Sequence, residues 1–497
     1  MLARVRVIYV VVGACVGLSL SLAVPGLASA AAVRADFNGD GRSDLAVGAP
    51  EEDQGTVKNV GAVDVFYGTL VGLKYDDAQQ FTQSAGGEKP EADDHYGDAL
   101  AAGDFNGDGK ADLAVAASRE DDGSHKDVGK IEVLFGSHDG LRTAGALQFG
   151  RCGLAAAEPP GARFGYALAV GDFDADGIPD LAAGVPGHAL GYGAVCLILV
   201  GRKASLINQG HAGGSLAQDA FGSELATGDF NGDGRKDLAI GVEREDVGNK
   251  SDAGAVDVMY AGSGGLYKSW SAKEFTQGMA HGRVGKGDFF GHALAVGRFD
   301  SDEVADLAVG APGDDPSGVA NGGAVNVMYG SPTGFEPLRA QQLDQDDAAA
   351  TPEVGDEFGT ALAAGSFGGP ARRGLVVGAP YDDQGGAVDA GVVSLIHGGR
   401  GGISSMHART FNQASAGGGV EAGDRFGYAF ATGDFLGDGH GTDLAIGSPY
   451  DSQGPNPEAG AVNVVYAPKL TAGSPVFNQS FVNGLEPKDH FGRALSG

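Results

Sequence analysis

Basic residues are scarce in this chain: 34 Lys and Arg stand against 65 Asp and Glu, a formal charge of −31 at pH 7. They form no basic tract, which excludes nucleic acid and an anionic membrane surface as partners. Signatures of chemistry are missing too. There is no Gly-x-Ser-x-Gly elbow, no His-Glu-x-x-His and no phosphate loop, and the eleven histidines are scattered. Helical periodicity is absent. Beyond the first thirty residues no apolar run is long enough to cross a bilayer. Cysteine is rare, with three in all. One of them, Cys15, lies in the leader described next. Cys152 and Cys196 remain, either as a single disulfide or as two thiols, with Cys196 inside a strand over 194–200; spacing alone does not decide between them.

The leader has Arg4 and Arg6, an apolar run over 7–24, a break at Pro25-Gly26 and small residues at Ala28-Ser29-Ala30. This order predicts a secretory signal over 1–30, ahead of a single domain over 31–497. An uncleaved anchor, or a lipid attached at Cys15, is the alternative reading. A secreted, extracellular protein is expected, with no membrane span once the signal is cleaved.

What the chain has in abundance is glycine, 88 residues, together with 42% hydrophobic residues. That combination gives many turns and ample core. The stretch Asp36-Phe37-Asn38-Gly39-Asp40-Gly41-Arg42-Ser43-Asp44 sets the pattern. Oxygen side chains fall at positions 1, 3, 5 and 9, and a glycine at 6 makes the sharp turn. A hard dication at about 2.3 to 2.6 Å from its ligands needs six to eight oxygens, and a short loop presents alternate side chains inward. Position 7 would lend only its carbonyl. An EF-hand would carry a glutamate at position 12, but Val47 stands there, inside an apolar run that reads as a buried strand.

The loop recurs with its first position at 36, 104, 172, 229, 298, 366 and 434. Four copies are intact and are read as calcium sites: Asp36, Asn38, Asp40, Arg42 and Asp44; Asp104, Asn106, Asp108, Lys110 and Asp112; Asp172, Asp174, Asp176, Ile178 and Asp180; Asp229, Asn231, Asp233, Arg235 and Asp237. Ca2+ is the only cofactor expected, in a structural role, because carboxylates packed this closely repel one another without it. The fifth copy has Arg298 at position 1 and Glu303 for the glycine. There a guanidinium is expected to pair with Asp300, Asp302 and Asp306 and replace the cation. The sixth, 366–374, has no acid and carries Arg372 and Arg373. The seventh keeps Asp434, Asp438 and Asp443 but has Leu436 at position 3 and one extra residue, which leaves its occupancy open.

The near-constant period of 68 residues, shortened once to 57 before the fourth copy, marks one repeated unit. In the second unit, 96–103, 113–117 and 130–135 read as strands, with a fourth around 147–149. The phrases flanking the loops are Phe164-Gly165, Phe221-Gly222, Phe290-Gly291, Phe358-Gly359 and Phe426-Gly427, and Gly48-Ala49-Pro50, Gly310-Ala311-Pro312 and Gly378-Ala379-Pro380. They resemble the FG-GAP repeat of the integrin alpha-subunit head. The resemblance covers essentially the whole chain after the leader. It implies an all-β fold: a seven-bladed β-propeller of four-stranded antiparallel blades, with calcium in the hairpins between first and second strands. The first loop lacks a Phe-Gly strand before it, and the chain closes on Phe491-Gly492-Arg493-Ala494-Leu495-Ser496-Gly497, a first strand with no loop after it. The two ends are therefore expected to pair in one blade.

Two further acidic sets recur on the face opposite the calcium hairpins. Asp94, Asp219, Asp288, Asp356, Asp424 and Asp489 each precede a Phe-Gly or Tyr-Gly pair by two residues, and a second set, including Glu52, Glu120, Glu245, Asp314, Asp382 and Asp451, follows each second strand. The third unit lacks both, with Ala162 and Gly187-His188 in their places. The acids read either as turn and surface groups or as a docking surface for a protein or glycan ligand, with His188 and Tyr192 marking an irregular spot. In the integrin head the corresponding face carries ligand and partner contacts. The expected function is a monomeric, non-catalytic interaction or adhesion-like module. A carbohydrate-active propeller, whether polysaccharide lyase, hydrolase or lectin, is the alternative.

Overall fold

The computed structural model describes residues 35–497 apart from 84–88, 124, 151, 153–159, 203, 212–217, 368–372, 468–474 and 480–485. The leader read over 1–30 lies outside the described residues. Seven four-stranded antiparallel sheets follow one another. Blade 2 is the pattern: Tyr96–Gly103, Asp112–Ala117, Lys130–Phe135 and Arg142–Gly150, from the axis outward. Blades 3 to 7 begin at Leu168–Gly171, Leu225–Gly228, Leu294–Gly297, Ala361–Gly365 and Ala429–Gly433. These innermost strands pack neighbour against neighbour round the ring.

Blade 1 is built from both ends of the chain. Leu45–Ala49, Ala62–Tyr67 and Lys74–Phe81 supply three strands, and Ala494–Ser496 supplies the innermost one, pairing Ala46 with Ser496, Val47 with Leu495 and Gly48 with Ala494. The termini are joined as the repeat pattern requires, and no blade is left with an open inner edge.

Second strands such as Leu45–Ala49 and Asp237–Val242 are buried at every residue because a blade covers each face. Both faces must then be apolar, which is why these segments read as unbroken hydrophobic runs. Seven core clusters result, one at each interface between blades; the cluster between blades 7 and 1 joins Leu45, Val47, Phe66, Phe477 and Phe491.

The two phrases of the repeat have a steric cause. A Cβ on Gly48 would collide with the carbonyl oxygen of Gly97 in the next blade, and the same collision faces Gly310 against Gly359 and Gly447 against Gly492. The Gly of Gly-Ala-Pro thus lies directly against the Gly of the following Phe-Gly, and the blades approach as closely as bare backbone permits.

Candidate metal hairpins and axial face

The register of blade 2 opposes Gly103 to Asp112 at one end and Tyr96 to Ala117 at the other. The acidic hairpins therefore lie on one face of the ring, and the Phe-Gly starts with the connectors after the second strands lie on the other.

Each intact hairpin is laced in the same way. In the first, Asp36 accepts the N–H of Asp40 at 2.9 Å and of Gly41 at 2.7 Å, Asn38 accepts that of Asp40, and Asp40 accepts that of Arg42. The loops at Asp104, Asp172 and Asp229 repeat the pattern. Position 2 is a buried phenylalanine, Phe37, Phe105, Phe173 or Phe230, which anchors the loop in the core.

Position 9 does more than offer an oxygen. Asp44 is fully buried and accepts the N–H of Phe37 at 2.8 Å with one oxygen and that of Gly68, past the third strand, at 2.9 Å with the other. Asp112, Asp237, Asp306 and Asp443 make the corresponding pair of bonds. Burial, with the nearby Asp36 and Asp40, pushes Asp44 up to about 8; the same causes move Asp112 to about 6 and Asp180 and Asp237 to about 7. A bound dication would reverse that shift, and the donor set of hard oxygens suits Ca2+.

The position 7 side chains turn outward onto their own loops, Arg42 to Asp40 at 3.1 Å, Arg235 to Asp233 at 2.8 Å and Lys110 to Asp108 at 3.7 Å. In the third loop Asp172, Asp174 and Asp176 bring ligand oxygens within 4.8 Å of one another, and Arg202 pairs with Asp174. Asp300, Asp302 and Asp306 of the fifth loop cluster equally tightly. Arg298 is not the cation that serves them: it pairs with Glu303 at 2.6 Å, while Arg339 pairs with Asp300 at 2.6 Å. Arg373, from the degenerate sixth loop, donates to the carbonyls of Asp300 and Asp302. The extra residue of the seventh loop is absorbed with the Asp434 and Asp443 bonds retained. Hairpins also grip one another: the N–H groups of Ser43, Ala111, Ala305 and Thr442 each donate to the first-position carbonyl of the preceding loop.

On the opposite face the recurrent acids are structural. Asp94, Asp356, Asp424 and Asp489 are buried and accept the N–H three residues earlier, from Glu91, Glu353, Glu421 and Glu486, at 2.7 to 2.8 Å. The acid after each second strand accepts an amide from a glutamine just past the outer strand of the preceding blade: Gln83 to Glu120, Gln209 to Glu245, Gln277 to Asp314, Gln345 to Asp382, Gln413 to Asp451 and Gln479 to Glu52. A third buried polar residue stands in mid-blade nearby, Asp64, Glu132, Asp257, Asn326, Ser394 or Asn463.

The interface between blades 2 and 3 departs from this scheme, and the two cysteines explain why. Cys196 occupies the mid-blade polar position, Cys152 lies just past the outer strand of blade 2, and the two form a disulfide with Cα atoms 5.9 Å apart. A covalent bond stands where every other interface holds a hydrogen-bonded acid cluster. The absence of acids at Ala162 and Gly187 is thus accounted for by the disulfide. His188 and Tyr192 line a small pocket with Asn208 and Gln209 beside this irregular connector.

Nearer the axis lies a group of residues that spacing alone does not reveal. The residue before each Phe-Gly or Tyr-Gly has positive φ in all seven blades: His95, Arg163, Ala220, Phe289, Glu357, Arg425 and His490, between 51° and 60°. Each donates its N–H to the connector of the preceding blade, as Arg425 does to Asp389 and His95 to Asn59. The residues after each Phe-Gly surround the axis with them. They include Asp98, Tyr166, His292, Tyr428 and Arg493. His292 meets Glu243 at 3.0 Å, Arg493 and His490 meet Glu51 at 2.8 and 2.9 Å, and the Arg425 guanidinium lies 4.8 Å from the Tyr381 ring and 4.1 Å from the Tyr450 ring. Burial raises Glu224 to about 8, while the His292 hydrogen bond holds Glu243 below its usual range against burial.

Seven such blades, all but the sixth with an acidic inter-strand hairpin, define a propeller of the repeat class to which the Phe-Gly and Gly-Ala-Pro phrases belong. The FG-GAP repeat matches residues 28–66, 96–133, 164–196 and 221–259, so the chain carries FG-GAP repeats. It is 33% identical to integrin alpha-PS2 of Drosophila melanogaster over 225 residues, covering 44% of this chain and 15% of that protein. Human phosphatidylinositol-glycan-specific phospholipase D is 29% identical over 334 residues, 63% of this chain and 38% of that protein. Integrin alpha-V of Gallus gallus is 32% identical over 194 residues, 38% of this chain and 17% of that protein. The chain therefore matches well under half the length of each of these relatives. Among the described residues no helix is long and apolar enough to cross a membrane.

Proposed function

We propose that this propeller is a secreted, calcium-stabilised interaction module, adhesion-like and non-catalytic, that receives its ligand at the axis on the Phe-Gly face. The observation that carries this reading is the ring of seven non-glycine residues at positive φ round that axis. Such a conformation costs an L-residue about 1 kcal/mol or more relative to glycine, so the side chains there are retained against a backbone penalty. They include His, Arg, Glu and Phe, groups suited to recognition. Calcium in the four intact hairpins supports the role by stiffening the opposite face. The relatives named as integrins and the leader over 1–30 fit an extracellular setting.

The reading is tested by scanning the axial ring with alanine at His95, Arg163, His292, Glu357, Arg425 and Tyr428 against whatever the purified protein captures from an extracellular extract. Binding should fall with the axial substitutions and persist with substitutions on the hairpin face such as Lys110→Ala. The reverse pattern would move the ligand to the other face and end the proposal.

A further inference from the structure

Arg425 is anomalous in a chain this acidic. Its guanidinium lies between the rings of Tyr381 and Tyr450, at the tips of blades 6 and 7. No carboxylate forms an ion pair with it among the described residues, and its buried Nε has no hydrogen-bond partner. Arg493, by contrast, is neutralised by Glu51 at 2.8 Å, and Arg163, its counterpart in blade 3, lies 6.0 Å from the single ring of Tyr166. The two ring contacts hold the guanidinium in place, and with Nε buried its terminal N–H groups are the ones left to donate. Such a fork matches a carboxylate in geometry as well as charge.

The surroundings narrow the ligand further. Tyr428 packs against Tyr450 with ring centroids 6.1 Å apart, and Tyr166 of blade 3 is 42% exposed on the same face. Acceptors on this face are Glu357, which feels the Arg425 charge, and the remaining lone pairs of Glu51 and Glu243, which already meet His490 and His292. The carboxylates around this guanidinium would repel an acidic peptide carrying many charges. It fits a single carboxylate on a ring rich in hydroxyls. The acids accept those hydroxyls, and a tyrosine face covers the C–H side of the ring.

Resting on the axial reading above, we propose that the site takes a uronic acid unit of a glycan, its carboxylate on Arg425 and its hydroxyls on the neighbouring acids. The test is calorimetric titration of the full chain, with calcium, using a glucuronate- or galacturonate-bearing oligosaccharide, its carboxyl-reduced counterpart and an aspartate-bearing peptide. The uronate oligosaccharide should bind at least about tenfold more tightly than the reduced form, which corresponds to about 1.4 kcal/mol. Arg425→Gln should abolish that preference. Tyr166→Ala, at a partly exposed residue, should weaken both sugars together and so report on the site even if Arg425→Gln folds poorly. No binding of the uronate, equal binding of the reduced form, or an unchanged preference in Arg425→Gln overturns the proposal. Peptide binding that Arg425→Gln removes, without uronate binding, overturns the sugar assignment and leaves the axial site standing. Ligand binding indifferent to both substitutions overturns both.

Discussion

Gln479, just past the outer strand of blade 7, donates its side-chain amide to Glu52 of blade 1 at 2.9 Å, across 427 residues of sequence. The bond lies at the seam where the two ends of the chain meet, beside the Phe491 core contact. Removing 491–497 takes away the innermost strand of blade 1 and a fully buried phenylalanine. The expected outcome in a thermal melt is a loss of at least about 3–5 °C, since burying a phenylalanine alone is worth about 3–5 kcal/mol and a domain of this size loses about 1 °C per kcal/mol. An unchanged melt would show that the ring does not depend on this strand.

Removing a glutamine clamp should act on stability and not on binding. Gln345→Ala removes one of the two amides that Asp382 accepts at a buried interface, leaving Gln384, with an expected cost of about 1–3 kcal/mol. Asp382→Ala should likewise lower the unfolding midpoint in denaturant while ligand affinity stays within twofold. A loss of affinity at full stability would return these acids to the docking surface.

Calcium removal should be felt in the melt. At about 1 mM free calcium and a dissociation constant of about 10⁻⁴ M, each occupied hairpin adds about 1.4 kcal/mol. Chelation should therefore lower the melting temperature, and Asp104→Asn should reduce the calcium-dependent part. Because Ala111 of the second loop bonds to the Asp36 carbonyl of the first, that substitution should also weaken calcium binding at the adjacent first loop. Isothermal titration checks the stoichiometry.

The calcium-free protein should be more stable in mild acid than in base. Burial raises Asp64 and Glu224 to about 8 and Asp98 and Asp257 to about 7, with the Glu52 charge adding at Asp64. In the unfolded chain such groups titrate near about 4. Between about 4 and 8 the unfolded state releases protons that the folded state keeps, so stability falls as pH rises through that window and levels off above it. Melts in chelator should give a higher midpoint at pH 5 than at pH 8.5. Asp64→Asn should flatten the slope.

Reduction should loosen one interface. Cys152 and Cys196 enclose a segment whose ends are 44 residues apart, and loss of such a crosslink costs about 2–4 kcal/mol. Reductant should lower the melting temperature of the parent chain but not of Cys152→Ser with Cys196→Ser, whose own midpoint should lie near that of the reduced parent.

The blade count, the closure through Phe491–Gly497 and the opposed faces were legible because a 68-residue period and an interrupted first strand are written directly in the chain. The partners of the acids were not. Gln345 and Asp382 are 37 residues apart and belong to different blades, so neither local periodicity nor turn chemistry links them. Arg298 illustrates a different limit: position in a loop suggested which carboxylates it would meet, but the glutamate that replaced the turn glycine takes it instead, and Arg339 arrives from outside the hairpin. Aligning the seven third strands would have exposed Cys196 in the column of Asp64, Asp257 and Asn463, and with it the exchange of an acid cluster for a disulfide. The free edge of Arg425 is written nowhere in the sequence, since it depends on Tyr381 and Tyr450 arriving from two separate blades.

At the turn ahead of each Phe-Gly, the left-handed twist is imposed by a main-chain bond to the neighbouring blade, as from Arg425 to Asp389. Identity of the side chain has no part in that bond. Seven places around one opening can thus be rewritten independently, like wards in a lock, while the barrel that carries them stays the same. A library randomised at 95, 163, 220, 289, 357, 425 and 490 would explore new specificities without asking the scaffold to refold.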